Sequence, residues 1–139
     1  MIKCVTIDDE PLALKQLNKY VSQVPFLELV GSFTNSIEAS AFVSSESVDL
    51  IFVDINMPDL NGLDFVRSLV GHKMVVFTTA YSEYAIESYK LNAVDYLLKP
   101  ISQDRFDQAL EKFRSLHVTK QKQQGVKALK EDLEEETLE

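Results

Sequence analysis

Cysteine is almost missing from this chain of 139 residues. The single thiol, Cys4, sits in a short apolar run, so no disulfide can form within the chain and no cysteine-based zinc site can be built. That scarcity fits a reducing, cytoplasmic compartment. No segment approaches the ~18 consecutive apolar residues of a membrane span. The opening stretch MIKCVTIDDE turns acidic too early for a signal peptide. A cytoplasmic protein without membrane attachment is the expectation. Positive charge is also short, with 14 Lys and Arg against 22 Asp and Glu and a formal net charge of -8. The densest basic stretch follows His117, where four lysines are outnumbered by six acids. Nucleic acid repels such a surface, so this chain alone is expected to bind none.

Hydrophobic residues are plentiful at 45%, enough for a packed core and against disorder over the whole length. They come as short apolar runs alternating with helical patterns. Strands are expected at Lys3 to Ile7, Leu27 to Phe33, Asp49 to Ile55, Met74 to Thr78 and Val94 to Leu98. Between them, Leu12, Leu14, Leu17, Val21 and Val24 recur at helical spacing, and Asp9 before Pro11 offers an N-cap and a first-turn proline. Further helices are expected over Ser36 to Ser45, Gly62 to Val70 and Glu83 to Leu91. A last helix would carry the stripe Phe106, Ala109, Leu110, Phe113 and Leu116. Strands that are apolar on both faces, joined by helices, predict a doubly wound five-stranded parallel sheet with helices on both faces. Residues 1–117 form that domain, and 118–139, rich in Lys, Gln and Glu, read as a linker or partly helical tail.

Ligands of such sheets bind beyond the carboxyl ends of the strands. Those ends carry Asp8 and Asp9, then Asp54, then Thr78, Thr79 and Ala80, then Lys99 before Pro100. Each has a plainer role taken singly: a helix cap, a turn acid, a strand-end hydroxyl, a solvated lysine. Together they place three carboxylates, hydroxyls and one ammonium on one rim. Clustered carboxylates repel, and a divalent cation with oxygen preference, such as Mg2+, relieves that repulsion. A carboxylate can also act as nucleophile and form an acyl-phosphate, with lysine and threonine serving its oxygens.

The motifs Asp8-Asp9, Asp54-Ile55-Asn56-Met57-Pro58, Gly62, Thr79-Ala80 and Tyr96 with Lys99-Pro100, in this order, resemble the response regulator receiver family over about Lys3 to Leu116. The stretches Thr78 to Ala85 and Asn92 to Pro100 resemble its LytR/AlgR branch, whose receivers precede a LytTR-type DNA-binding domain. The resemblance implies a flavodoxin-like sheet of order 2-1-3-4-5 and a cis bond before Pro100. It implies that Asp54 accepts a phosphoryl group from a histidine kinase or phosphotransfer protein. It implies Mg2+ on Asp9, Asp54 and the backbone carbonyl of Asn56, with Asp8 acting through a water. Lys99 would pair with the acceptor, Thr79 would bond the phosphoryl oxygen, and Tyr96 would move inward with it. Homodimerisation on phosphorylation and control of transcription through an attached output domain follow from the same resemblance.

Two other readings compete with this signalling switch that turns over no external substrate. A magnesium-dependent aspartyl phosphohydrolase would need a second acid two residues after its nucleophile, where this chain has Asn56. A phosphorylation-independent binding module would be expected to lack a site residue, yet Asp8, Asp9, Asp54, Thr79 and Lys99 are all present.

Overall fold

Successive side chains of a strand point to opposite faces, so runs such as Leu50-Ile51-Phe52-Val53 demand cover on both sides. A computed structural model, which describes residues 1–69, 73–82 and 91–119, contains that arrangement. Strands β1 (Ile2–Ile7), β2 (Leu27–Phe33), β3 (Leu50–Asp54), β4 (Met74–Thr79) and β5 (Asp95–Leu98) pair in parallel in the order β2-β1-β3-β4-β5. Helices α1 (Pro11–Ser22), α2 (Ser36–Ser45) and α3 (Gly62–Arg67) lie in the crossovers, and α4, helical over 103–119, follows β5. The expected helix over Glu83 to Leu91 falls almost wholly on 83–90, outside the described residues. So do Val70, expected to close α3, and the tail from 120. The described part of α4 passes the expected domain limit at 117 by two residues.

Each face of the sheet has its own core. On one, Cys4, Phe52, Val76 and Leu97 pack against Leu17 and Val21 of α1 and Phe106, Leu110 and Phe113 of α4. Tyr20 and Phe52 stack on Phe106 with centroids 5.3 and 5.7 Å away. On the other, Val5, Ile51, Val53 and Phe77 meet Ala39 and Val43 of α2 and Leu63 and Phe65 of α3. A polar latch also ties α1 to the sheet. Thr6 Oγ1 donates to Asn18 Oδ1 at 2.6 Å, and Asn18 Nδ2 donates to Ser32 Oγ at 2.9 Å.

Three expectations change. Leu12 is 83% exposed rather than part of the α1 stripe. It lies two residues from Leu14, about 200° around the helix, whereas Leu14, Leu17 and Val21 share one side. Leu116 is 48% exposed. Its neighbour His117 instead stacks on Phe113, with ring centroids 5.2 Å apart, so Leu116 stands to the side of the buried stripe. Asp9 does not cap α1. The cap position is Glu10, which makes no side-chain cap bond, and Pro11 opens the helix. Asp8 Oδ1 instead accepts from the Glu10 amide at 2.9 Å. The Lys99–Pro100 bond is cis.

One glycine fixes the height of the third strand's end. Gly62 donates its amide to the Ile55 carbonyl at 2.8 Å, and a Cβ there would stand 2.2 Å from the Asp54 carbonyl oxygen. Backbone cannot yield as a side-chain tip can. Gly62→Ala should therefore cost about 2–3 kcal/mol in chemical denaturation. An unchanged unfolding midpoint would contradict this seating of α3.

Candidate functional site

The parallel sheet brings every strand-end residue to one edge. Asp8 follows β1, Asp54 closes β3, Thr79 closes β4, and Lys99 follows β5. Oxygens of Asp8, Asp9 and Asp54 lie within 4.8 Å of one another. Asp8 and Asp54 are each 2% exposed, and Asp9 is half-buried. Lys99 reaches in with Nζ 2.8 Å from Asp8 Oδ2 and 3.4 Å from Asp54 Oδ2. It is thus paired more closely with Asp8 than with the expected acceptor. Thr79 Oγ1 donates to Asn56 Oδ1 at 2.9 Å and accepts from the Tyr81 amide at 3.1 Å. The Tyr96 hydroxyl donates to the Tyr81 carbonyl. All the residues singled out in the sequence therefore meet on this rim, with Tyr96 joined to it through Tyr81.

Three carboxylates face one ammonium, and burial sharpens the imbalance. Burial and the Asp8 charge push the Asp54 carboxyl up to about 7, against the opposing pull of Lys99. Burial draws the Lys99 ammonium down, but its hydrogen bond to Asp8 and the charges of Asp54, Asp8 and Glu10 hold it above its usual value. The donor set fits a hard divalent cation, since all its ligating atoms are carboxylate oxygens. Asp9 Oδ1 is buried and lacks a hydrogen-bond partner, as suits an atom reserved for such an ion.

Sequence reasoning missed two features. The side chain of Asn56 is the partner of Thr79, which spacing alone cannot reveal. Asp95, 1% exposed, is gripped by Arg105, with Nη1 3.2 Å from Oδ2 and Nη2 3.1 Å from Oδ1. Arg105 also donates to the Tyr96 carbonyl at 3.0 Å. Burial opposes the charge on Asp95, but Arg105 prevails and holds its carboxyl below the usual range. An acid inside a strand-like run was the available signal, because a buried charge needs a partner.

A flavodoxin-like α/β domain with a buried acidic cluster and a lysine at its strand ends is the class that fold and site define. Residues 4–111 match the response regulator receiver domain family. The transcriptional regulatory protein BtsR of Escherichia coli (strain K12) is 40% identical over 116 residues, covering 82% of this chain and 48% of that protein. The transcriptional regulatory protein LytR of Staphylococcus aureus (strain N315) is 33% identical over 117 residues, 82% of this chain and 48% of that one. The response regulatory domain of protein mrkE from Klebsiella pneumoniae superposes with a TM-score of 0.76 at 33% identity, over 83% of this chain and 97% of that one. The chain belongs to the response regulator receiver family, and its relatives include the transcriptional regulatory proteins BtsR and LytR. It spans about half the length of the curated relatives it matches. Receivers of this family are signalling proteins rather than enzymes with a separate substrate. Among the described residues no helix is long and apolar enough to cross a membrane.

The raised Asp54 carboxyl makes stability depend on pH. The unfolded chain releases this proton in the usual carboxylate range, whereas the folded chain keeps it to about 7. Across that window the folded state holds more protons, so its stability falls as pH rises and levels off above the folded value. In metal-free buffer Asp54→Asn should remove that slope and exceed the parent by about 1–3 kcal/mol at alkaline pH, with little difference near pH 4. Parallel denaturation curves for parent and variant at every pH would rule out the repulsion.

Proposed function

We propose that the chain is a phosphorylation-dependent switch that takes a phosphoryl group on Asp54 from a histidine kinase or phosphotransfer protein. The observation that carries this reading is the burial of Asp54 beside Asp8 and Asp9, with Lys99 Nζ 3.4 Å from its carboxylate. One Asp54 oxygen attacks phosphorus, the phosphorus–nitrogen bond of the donor breaks, and the imidazole leaves with the electron pair and a proton from solvent. Asp9, Asp54 and the Asn56 carbonyl would hold Mg2+, with Asp8 acting through a water. When bound, the ion would neutralise charge on the phosphoryl oxygens. Lys99 stabilises the acyl-phosphate by pairing with an oxygen that was formerly carboxylate or donor phosphoryl.

The switch then follows from hydrogen bonds that must be exchanged. The Thr79 hydroxyl gives up Asn56 for a phosphoryl oxygen, which draws on the β4 end that also carries Tyr81. The Tyr96 hydroxyl, bonded to Tyr81, is released inward as that loop shifts. The altered surface lies around β5, the helix expected over 83–91 and α4. A homodimer formed there would bring together two DNA-binding output domains. An output domain beyond the 118–139 linker agrees with relatives of which the matched residues cover only 48%. The phosphohydrolase reading is disfavoured because Asn56 is an amide engaged with Thr79 and cannot serve as general acid.

Incubation with a small acyl-phosphate and Mg2+ should add one phosphoryl group by intact mass, and Asp54→Asn should take none. The labelled parent should also dimerise about tenfold more tightly in sedimentation, equivalent to ~1.4 kcal/mol. Undiminished labelling of the Asn variant would refute the acceptor. Equal dimer constants would refute this output mechanism alone.

A further inference from the structure

Strand β5 stands at the edge of the sheet, with β4 as its one neighbouring strand. Asp95, its first residue, is 1% exposed, and a carboxylate that deep needs partners. Two cations from one side of α4 meet it, seven residues apart and so nearly in line along the helix. Arg105 donates from Nη1 to Oδ2 at 3.2 Å and from Nη2 to Oδ1 at 3.1 Å. Lys112 Nζ stands 3.3 Å from Oδ1. The same Oδ1 accepts the Tyr96 amide at 2.8 Å.

Charge balance accounts for only part of this arrangement. Lys112 alone would match the charge of Asp95. Arg105 adds a bond that neutralisation does not require, from Nη2 to the Tyr96 carbonyl at 3.0 Å. The N–H of Tyr96 is thus held by Asp95 and its C=O by Arg105, which holds Asp95 as well. Gln108, one turn further along α4, braces Arg105 Nη1 at 3.0 Å. The sheet separates the parts so joined. The Tyr96 ring packs with the core that contains Phe65 and Phe77, whereas α4 packs through Phe106, Leu110 and Phe113 on the opposite face. Arg105 spans the two, from the helix to the backbone of the strand that carries the ring. At its other end the Tyr96 hydroxyl bonds the Tyr81 carbonyl, and the Tyr81 amide bonds Thr79 Oγ1.

We propose that Arg105 is a positioning residue that transmits the placement of Tyr96 to α4, with Asp95 as its anchor. Its part in signalling rests on the phosphorylation reading above, whereas the mechanical link can be tested without it. A guanidinium suits the task because its planar fork holds both carboxylate oxygens and a carbonyl at once, which a single ammonium cannot do.

Tyr96→Phe removes the hydroxyl that holds the ring to Tyr81, and so alters the placement of the ring without phosphorylation. A double-mutant cycle read by amide NMR on the unphosphorylated chain is the test. In the parent background Tyr96→Phe should shift the amides of Gln108, Ala109 and Lys112 on α4. In the Arg105→Lys background the same change should leave them unmoved. The unfolding midpoint of Arg105→Lys should stay close to the parent's, because two ammonium groups still answer Asp95. Arg105→Gln, which leaves Lys112 to match the charge, should uncouple α4 in the same way. A merely structural Arg105 would give the opposite pattern, a lowered midpoint with the α4 shifts retained. With a small acyl-phosphate and Mg2+, Asp54 should be labelled in parent and Arg105→Lys alike, but the α4 amides should move only in the parent. Failure of labelling in both would refute the acceptor and leave the unphosphorylated cycle to decide the role of Arg105. Absence of α4 shifts on Tyr96→Phe in the parent, or shifts of equal size in the Arg105→Lys and Arg105→Gln backgrounds, would overturn the proposal.

Discussion

The mutual repulsion of Asp8, Asp9 and Asp54, gathered at one edge with one lysine to answer them, is the constraint around which the rest of this domain is arranged. Left to itself the cluster would open or take up protons, and the Asp54 carboxyl is already pushed up to about 7. The fold holds it closed because its acids stand on backbone that cannot move. Asp54 ends a strand that is buried on both faces. Asp8 is pinned through the Glu10 amide and Lys99. A site kept in this unfavourable state favours whatever brings positive charge, and a divalent cation held by these oxygens does so.

The surrounding structure follows from keeping that edge rigid while leaving one side adjustable. The two apolar cores clamp β1, β3 and β4 from both faces, and Gly62 allows α3 to close against the backbone of Asp54. The β4 and β5 ends are held differently, by hydroxyl bonds from Thr79 to Asn56 and from Tyr96 to Tyr81. Such bonds exchange partners at little cost, whereas packed aromatic rings do not. Arg105 ties the same segment to α4 through Asp95 and the Tyr96 carbonyl, so a shift at Tyr96 bears directly on that helix.

Much of this was legible in the residues because both signals are local. Apolar runs marked the strands to within a residue or two, and their ends named the rim: Asp8, Asp9, Asp54, Thr79 and Lys99. What escaped depended on relations between elements. The burial of Leu14 and exposure of Leu12 are set by which side of α1 meets the sheet. Leu116 continues the stripe by spacing, yet it is exposed near the end of α4. Asp9 looked like a helix cap, yet its position in the cluster left that role to no side chain, and Glu10 occupies the cap position unbonded. The pairings of Lys99 with Asp8, Thr79 with Asn56 and Arg105 with Asp95 join residues 10 to 91 positions apart, and no periodicity encodes them.

Titration of the Asp54 side-chain carboxyl by carbon NMR, with and without Mg2+, tests the central claim most directly. In metal-free buffer its midpoint should lie near 7. Saturating Mg2+ should bring it down into the usual carboxylate range, because a bound cation favours the charged form. A midpoint already in that range without metal, or one that Mg2+ leaves unmoved, would contradict the account.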